Sequence, residues 1–597
     1  GGLTAGRANA NYALFPYETE DKIVAHSEQT GSKTIIRATQ NGRTHLWEPF
    51  SDRYAGIYRC ERNLYKNSYG NKLVFEEVNH DLQFTMRTTW LTGDRFGFIK
   101  RCWLHNNGDQ DWQVDLLDGL QNLLPYGATN ALQNSFSSLL NAYKRNELEP
   151  RIGLGIFALS ATLTDRAEPS ESLQATVAWQ VGLESSCYLV SSDQLDAFRT
   201  GRSLIPEQDV CGKAGAYFAN ATFELPSDQS QHWTVVADVN QDSAAIVGLE
   251  KLLHQDTATI EEQIEVDIAL GTANLIRFVA AADGLQLTAQ ETTTTHHFAN
   301  VLFNIMRGGI FAVGYQVERD DLLDFIRVRN CVALADYADW FAELPAQTSI
   351  QELYMRAAGT DVPDLIRLCY EYLPLTFSRR HGDPSRPWNS FSINLKQPDG
   401  SPRLDYQGNW RDIFQNWEPL AFTFPSFLEG MIAKFLNATT TDGYNPYRIT
   451  RDGIEWEVPE PDNPWANIGY WSDHQIIYLQ KLLEIAEQVH PGTLSTLWNR
   501  PIFAYANVPY RLRSYLKMLA DWHDTIEFDW ESEKVTKTVV ATLGTDGRLL
   551  RDADGAVIHV TMTEKLLVLF LAKLTNLVPE GGIWMSTQRP EWNDANN

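Results

Sequence analysis

Apolar and polar positions alternate along the first part of the chain. Leu82, Phe84 and Met86 alternate with polar neighbours up to a Gly93-Asp94 turn, Phe96 and Phe98 resume the pattern, and Asn106-Asn107-Gly108 interrupts it before Trp112 and Val114. Ala175, Val177, Trp179 and Val181 repeat it, as do the residues from Trp233 to Val239. A period of two is that of a strand with one face in a core, and turns at this spacing predict a large antiparallel β-sandwich over residues 1–242.

From Ser243, a suitable N-cap, the period lengthens to that of a helix through Ile246, Leu249, Leu252 and Leu253. Helical spacing continues from Ile260 to Ala281 and from His297 to about Leu344, which defines a helical linker region over 243–345. Within it, Arg307-Gly308-Gly309 is read as a site of close helix packing, since no strand precedes it to build a phosphate loop. From Pro345 onward the pattern predicts helices from Ile350 to Phe377, Trp410 to Asn437, Ser472 to Val489, Pro509 to Trp522 and Met562 to Val578. The last opens with Thr561 and Glu564 in capping-box spacing. Antiparallel helices joined by long Trp- and Asp-rich loops predict the first part of an (α/α)6-type toroid over 346–597. The whole is an α+β multidomain protein, and the absence of a fixed repeat argues against a solenoid.

Composition narrows the partners. The 597 residues are 43% hydrophobic and 11% aromatic, enough for sizeable cores, and carry a formal charge of −26 with a pI near 4.9. That field repels nucleic acid and anionic membranes, so the expected substrate is neutral and any phosphate must be held by a local cationic cluster. Six scattered cysteines without Cys-x-x-Cys or metal spacing are read as buried reduced thiols. With no long apolar run and no visible signal peptide, the expected location is cytoplasmic. No metal or organic cofactor is expected, and serine-elbow, Walker and dinucleotide motifs are absent. The chain opens on Gly1 and ends on Asn597, and is read as a piece of a longer polypeptide.

Two segments carry candidate chemistry. Pro590-Glu591-Trp592-Asn593-Asp594 places an aromatic ring, an amide and a carboxylate side by side. A pyranose stacks its C–H face on such a ring and gives its hydroxyls to such polar groups, while a carboxyl beside an apolar wall is raised toward the pKa of a general acid. In Tyr406–Glu418, a helix beginning near Trp410 brings Arg411, Gln415 and Glu418 together at i, i+4 and i+7, with Asp412 in the first turn where the helix dipole favours it. Polar groups on one face with Trp410 and Trp417 are costly unless that face lines a pocket, the alternative being a solvated face with an Arg–Glu pair.

These segments resemble the Trp-Asn-Asp and Arg-Asp-x-x-Gln motifs of the inverting glycoside phosphorylases, the clan of cellobiose, chitobiose and β-oligoglucan phosphorylases. The resemblance implies that Asp594 is the general acid, that Trp592 and Asn593 flank it, and that Arg411, Asp412 and Gln415 bind the non-reducing-end glucosyl unit. Asn416 stands where the clan more often has Asp. Gly469-Tyr470-Trp471-Ser472-Asp473-His474 resembles the clan's acidic helix start near the sugar, which adds Asp473. The loop from Ser378 to Asn389 holds three arginines and a histidine that could form an anion site or a solvated rim. In the clan the phosphate-binding residues follow the general acid, here beyond Asn597.

The implied activity is hexosyl transfer to inorganic phosphate, the co-substrate. A β-linked gluco-oligosaccharide, β-1,3 in preference to β-1,2, would give α-glucose 1-phosphate and a shortened glucan, and a homodimer is compatible with the clan. The alternatives are an inverting hydrolase on the same fold, with Glu418 or a later residue as base, and a non-catalytic glucan-binding protein.

Overall fold

A computed structural model describes residues 12–16, 20–163, 170–376, 378–379, 393–397, 401–445, 448–459, 476–521, 526–575, 577–578 and 582–583. They fall into two compact units, one drawn from Gly1–Arg277 and Leu287–Ala299, the other from Phe278–Gln286, Asn300–Asp383 and Ile393–Asn597.

The first unit is built on two antiparallel sheets. Five strands run in the order Cys187–Leu189, Gly215–Leu225, Trp112–Leu123, Gly31–Gln40, Arg43–Trp47. The other sheet has nine strands, with Gln174–Val181, Ser230–Asp242, Gly97–Asn106, Phe84–Gly93, Leu73–Asn79 and Cys60–Lys66 adjacent in that order. Phe84, Met86, Leu104, Val114, Leu116, Trp233, Val235 and Ala237 fill one core. Simple alternation leaves the other face of Gln174–Val181 in water, yet residues 175–181 are all buried. The reason is the helical stretch that follows, because Val177, Trp179, Val181 and Val236 form a separate core with Leu252, Ile260 and Ile264. Each such side chain removed from water contributes about 1.5–3 kcal/mol.

Charge is also buried between the sheets. Lys100 donates to Asp118 at 2.7 Å, and Asp118 accepts from Thr34 at 2.6 Å and from Trp233 Nε1 at 2.7 Å. Burial disfavours the Lys100 ammonium, but the Asp118 charge more than offsets it and the pKa is raised.

The first linker helix is Ser243–Leu253, and its cap is Asp242, which accepts from Ala245 N at 2.8 Å, rather than Ser243. Helix Thr257–Ala281 carries Asp267, whose carboxylate accepts from the backbone N–H groups of Asp94, Arg95 and Phe96. The hairpin it caps needs glycine at Gly97, where φ is +71°.

Several helices of the second unit are shorter than the spacing predicts. Ile350–Ala358 and Pro363–Glu371 are separated by a turn in which Asp361 takes φ +54°, and Trp410–Thr423 and Leu428–Asn437 are split by the 3-10 turn Pro425–Phe427. Proline at 425 cannot donate into a continuing helix. Where a helix was expected from Pro509 to Trp522, a strand Tyr510–Leu512 precedes a short helix Tyr515–Ala520. Ile476–Val489 and Met562–Thr575 appear as described parts of expected helices, and Glu564 N donates to Thr561 Oγ1 at 3.2 Å. Helix Trp530–Leu543 was not anticipated.

All six cysteines are free, but Cys60, Cys211 and Cys331 are exposed, so the expectation of six buried thiols fails for these three. Among the described residues no helix is long and apolar enough to cross a membrane, and no cluster of His, Cys, Asp and Glu could hold a metal ion.

Candidate active site

Helix Trp410–Thr423 is the described part of the expected sugar site. It is entered through the strand Gln407–Asn409, which pairs with Arg448–Thr450, and it is pinned by aromatic packing. Trp410 and Phe414 each meet Phe435 at 4.8 Å, Trp417 meets Tyr406 at 5.7 Å, and Trp417 Nε1 donates to the Gly308 carbonyl at 2.8 Å. A Cβ on Gly308 would stand 2.9 Å from Asn416 Cβ, so the glycine pair serves close helix packing as its context suggested.

The expected polar face divides. Trp410, Asn416 and Trp417 are buried and Gln415 is exposed. Glu418 is half-exposed and accepts from Lys481 at 2.6 Å. The two tryptophans therefore do not share the face of Gln415 and Glu418, and Glu418 is ion-paired with Lys481. Arg411 and Asp412 occupy the first turn of the helix. Asp473, Trp592, Asn593 and Asp594 lie outside the described residues, as does most of the Ser378–Asn389 loop.

Beside this helix lies a buried ionic cluster that sequence spacing did not reveal. Asp546 accepts from Arg367 at 2.5 Å and is ion-paired with Arg329 at 2.9 Å. Glu371 accepts from Arg329 at 2.8 Å, Arg367 at 3.3 Å and Asn437 at 2.8 Å. Burial opposes ionisation of Asp546, and the charges of Arg367 and Arg329 more than offset it, holding the carboxyl below its usual range. Burial likewise disfavours the Arg367 cation, and Asp546, Asp364 and Glu371 reverse that effect. Along the chain Arg367 and Glu371 stand i, i+4 and Asp364 three residues before Arg367, so spacing alone shows only these local pairs and not Asp546.

Lys434 stands against this cluster, and among the described residues it has no ion-paired carboxylate. Its Nζ donates to the Arg451 carbonyl at 2.9 Å and lies 5.6 Å above the Tyr406 ring. Burial, reinforced by the Arg329 charge, lowers its pKa to about 7. A void of about 10 Å³ among Lys434, Arg329, Glu371 and Asn437 is the size one water fills. Arg451 in turn donates to Asp321 at 2.7 Å, and Tyr372 donates to the same carboxylate at 2.6 Å.

Residues 311–374, which supply Asp321, Arg329, Arg367, Glu371 and Tyr372 to these interactions, match the family description Glycoside hydrolase family 149 insertion domain 1. A search of curated proteins gives no match. Among solved structures, a bacterial glucoamylase complexed with acarbose aligns at 10% identity over 85% of this chain and 83% of its own, with a TM-score of 0.30. A protein described as a kojibiose phosphorylase from the human microbiome aligns at 10% identity over 76% of this chain and 55% of its own, with a TM-score of 0.29. A family GH92 alpha-mannosidase from Bacteroides thetaiotaomicron gives 9% identity, 77% and 70% coverage, and a TM-score of 0.22. Structural likeness at this level carries no weight. The matched segment supports a carbohydrate-active enzyme of the glycoside hydrolase and phosphorylase class.

Proposed function

We propose that the protein catalyses reversible, inverting phosphorolysis of β-linked gluco-oligosaccharides, with β-1,3 linkages preferred, on an (α/α)6-type toroid. The observation that carries the reading is the family 149 match at 311–374, which is independent of the motifs at 411–415 and 592–594. In the reaction the Asp594 carboxyl gives its proton to the glycosidic oxygen. Inorganic phosphate attacks C1 from the opposite face, the C1–O bond breaks, and α-glucose 1-phosphate leaves with a shortened glucan. Phosphate is already a nucleophile, so one carboxyl suffices. Trp592, Asn593, Arg411, Asp412, Gln415 and Asp473 hold the reacting sugar in this reading. Cytoplasmic location, a homodimer, and phosphate as the only co-reactant belong to the same proposal.

An inverting hydrolase would need a second carboxylate about 6.5–9.5 Å from the acid to activate water. Glu418 is a poor candidate, since it is engaged by Lys481 at 2.6 Å. Phosphate dependence decides between the two. Sugar release from β-linked gluco-oligosaccharides should require phosphate and yield glucose 1-phosphate. Equal release of free glucose in phosphate-free buffer would replace this reading with the hydrolase.

A further inference from the structure

Arg548 ends the 3-10 turn Thr545–Arg548 that follows helix Trp530–Leu543, and its side chain is half-buried. One of its nitrogens is spent inside the fold, since Nη1 donates to the Ile454 carbonyl. The centre of the guanidinium lies 5.3 Å from the centroid of the Trp456 ring, and that ring is fixed by Nε1, which donates to Glu533 at 2.9 Å. Nε and Nη2 have no partner among the described residues, and both keep accessible surface. They form one edge of the group, the edge with which a guanidinium grips two oxygens of a carboxylate or a phosphate at once.

The surrounding charges leave this cation in surplus. Two carboxylates act on it, Glu455 and Glu533, and each has a cation of its own, Arg448 for the first and Lys537, at 3.1 Å, for the second. Burial, reinforced by the Arg329 and Arg448 charges, disfavours the Arg548 cation, and the two glutamates do not make up the difference, so its pKa is lowered. Every other described arginine displaced from its ordinary range, namely Arg62, Arg145, Arg151, Arg199, Arg367 and Arg451, is displaced upward. In a chain of 76 acidic and 50 basic residues an arginine is easily paired. One that is held in place, unpaired, with its two-nitrogen edge open marks a position for an anion from outside the fold.

That position is next to the helix carrying Arg411 and Asp412. Ile454, which holds Arg548, stands directly opposite Ile449, and Ile449 stands opposite Gly408, two residues before the helix begins at Trp410. Two strand spacings put the Ile454 backbone about 10 Å from Gly408.

We propose that Arg548, backed by Trp456, is an oxyanion-binding residue that takes a phosphate group through its Nε–Nη2 edge. The choice of phosphate rests on the phosphorolysis reading, which requires one near the sugar helix, and it adds a contact upstream of Asp594 to those that the resemblance puts after it. Inorganic phosphate and the phosphate of α-glucose 1-phosphate both present the pair of oxygens that the edge needs.

Hydrogen exchange read by mass spectrometry tests the site locally. Inorganic phosphate titrated into the protein at low salt should slow exchange in residues 452–458 and 544–550. Protection by α-glucose 1-phosphate as well identifies a site for the phosphate group in either form, and protection by inorganic phosphate alone a site for the free anion. Arg548→Gln should weaken the apparent phosphate affinity for that protection by about tenfold or more, and Arg548→Lys should recover only part of the loss, because a point charge lacks the paired edge. The proposal is overturned by absence of protection at saturating phosphate, by wild-type affinity in both variants, or by protection with glucuronate and not with phosphate. Phosphate-dependent sugar release without protection at these residues would leave the phosphorolysis reading standing and remove Arg548 from it. Protection by phosphate in a protein whose sugar release ignores phosphate would keep the anion site and overturn that reading.

Discussion

Replacing Lys434 with methionine should make the second unit more stable at neutral pH and remove part of its pH dependence. The lysine is 1% exposed, and burial with the Arg329 charge depresses its pKa to about 7 from an unfolded value near 10.5. For a base whose folded pKa is depressed, folding prefers the neutral form. There is no penalty above the unfolded pKa, a growing one as pH falls from about 10.5, and a constant one below about 7. At 1.36 kcal/mol per pH unit, the penalty is about 4 kcal/mol at pH 7.5 and about 1 kcal/mol at pH 9.5. Methionine has similar length and no charge. It forfeits the hydrogen bond to the Arg451 carbonyl, worth about 1 kcal/mol net.

Lys434→Met should therefore gain about 3 kcal/mol at pH 7.5 and close to nothing at pH 9.5. Calorimetric melting of wild type and variant from pH 7 to 10 reads this directly, at roughly 2–4 °C per kcal/mol for a domain of 150–250 residues. Other titrating groups cancel in the difference between the two proteins. A variant that melts lower at pH 7.5, with a difference from wild type that does not change with pH, would show that Lys434 is charged and stabilising in the fold, and would refute the reasoning.

Asp546→Ala should destabilise by about 3–5 kcal/mol in denaturant melts, because Arg329 and Arg367 lose a shared buried carboxylate; a loss below about 1 kcal/mol would mean that the cluster is solvated. Gly308→Ala should cost about 1–3 kcal/mol, since its Cβ meets Asn416 at 2.9 Å, and an unchanged melting point would show that the two helices separate freely. Asp594→Asn should lower phosphorolysis by about 10²–10⁴-fold with little change in substrate affinity, and retention of a tenth of wild-type activity would remove it as the acid. Arg411→Ala and Asp412→Asn should raise KM and lower kcat together; wild-type kinetics in both would return the helix to a solvated surface.

The sandwich was legible because its signal is local. Leu82, Phe84 and Met86 alternate within one strand, and Gly93-Asp94 marks a hairpin that Asp267 then caps from a distant helix. Several helices were also legible, but not every end, because Phe424-Pro425 and the turn at Asp361 interrupt apolar spacing that continues across them. Trp530–Leu543 escaped notice through its low apolarity, although Asp529, which accepts from Ser532 N at 3.0 Å, followed by Glu531 and Glu533, is a helix-start signature. The site motifs were found by resemblance rather than by periodicity. Their setting was not, because the partners of Arg367 are 3, 4 and 179 residues away, and spacing shows only the nearer two.

The distant partners determine what the 311–374 segment can do. A buried ion pair gives little net stability over well-packed apolar groups, yet removing one member leaves its partner uncompensated in low dielectric. Arg329, Arg367 and Glu371 come from that segment, and their partners Asp546 and Asn437 come from outside it. Swinging the segment away would leave Asp546 without either arginine and take from Arg329 and Arg367 the carboxylate they share, so the segment is a fixed part of the second unit rather than a lid. Asn437 ends the helix Leu428–Asn437, and Phe435, two residues earlier, packs on Trp410 and Phe414 beside Arg411 and Asp412. Packing thus runs without a gap from the family-matched segment to the helix that carries Arg411 and Asp412. If that contact sets the helix position, Asp546→Ala should raise KM as well as lower stability, whereas Gly308→Ala should do so through Asn416 from the opposite side.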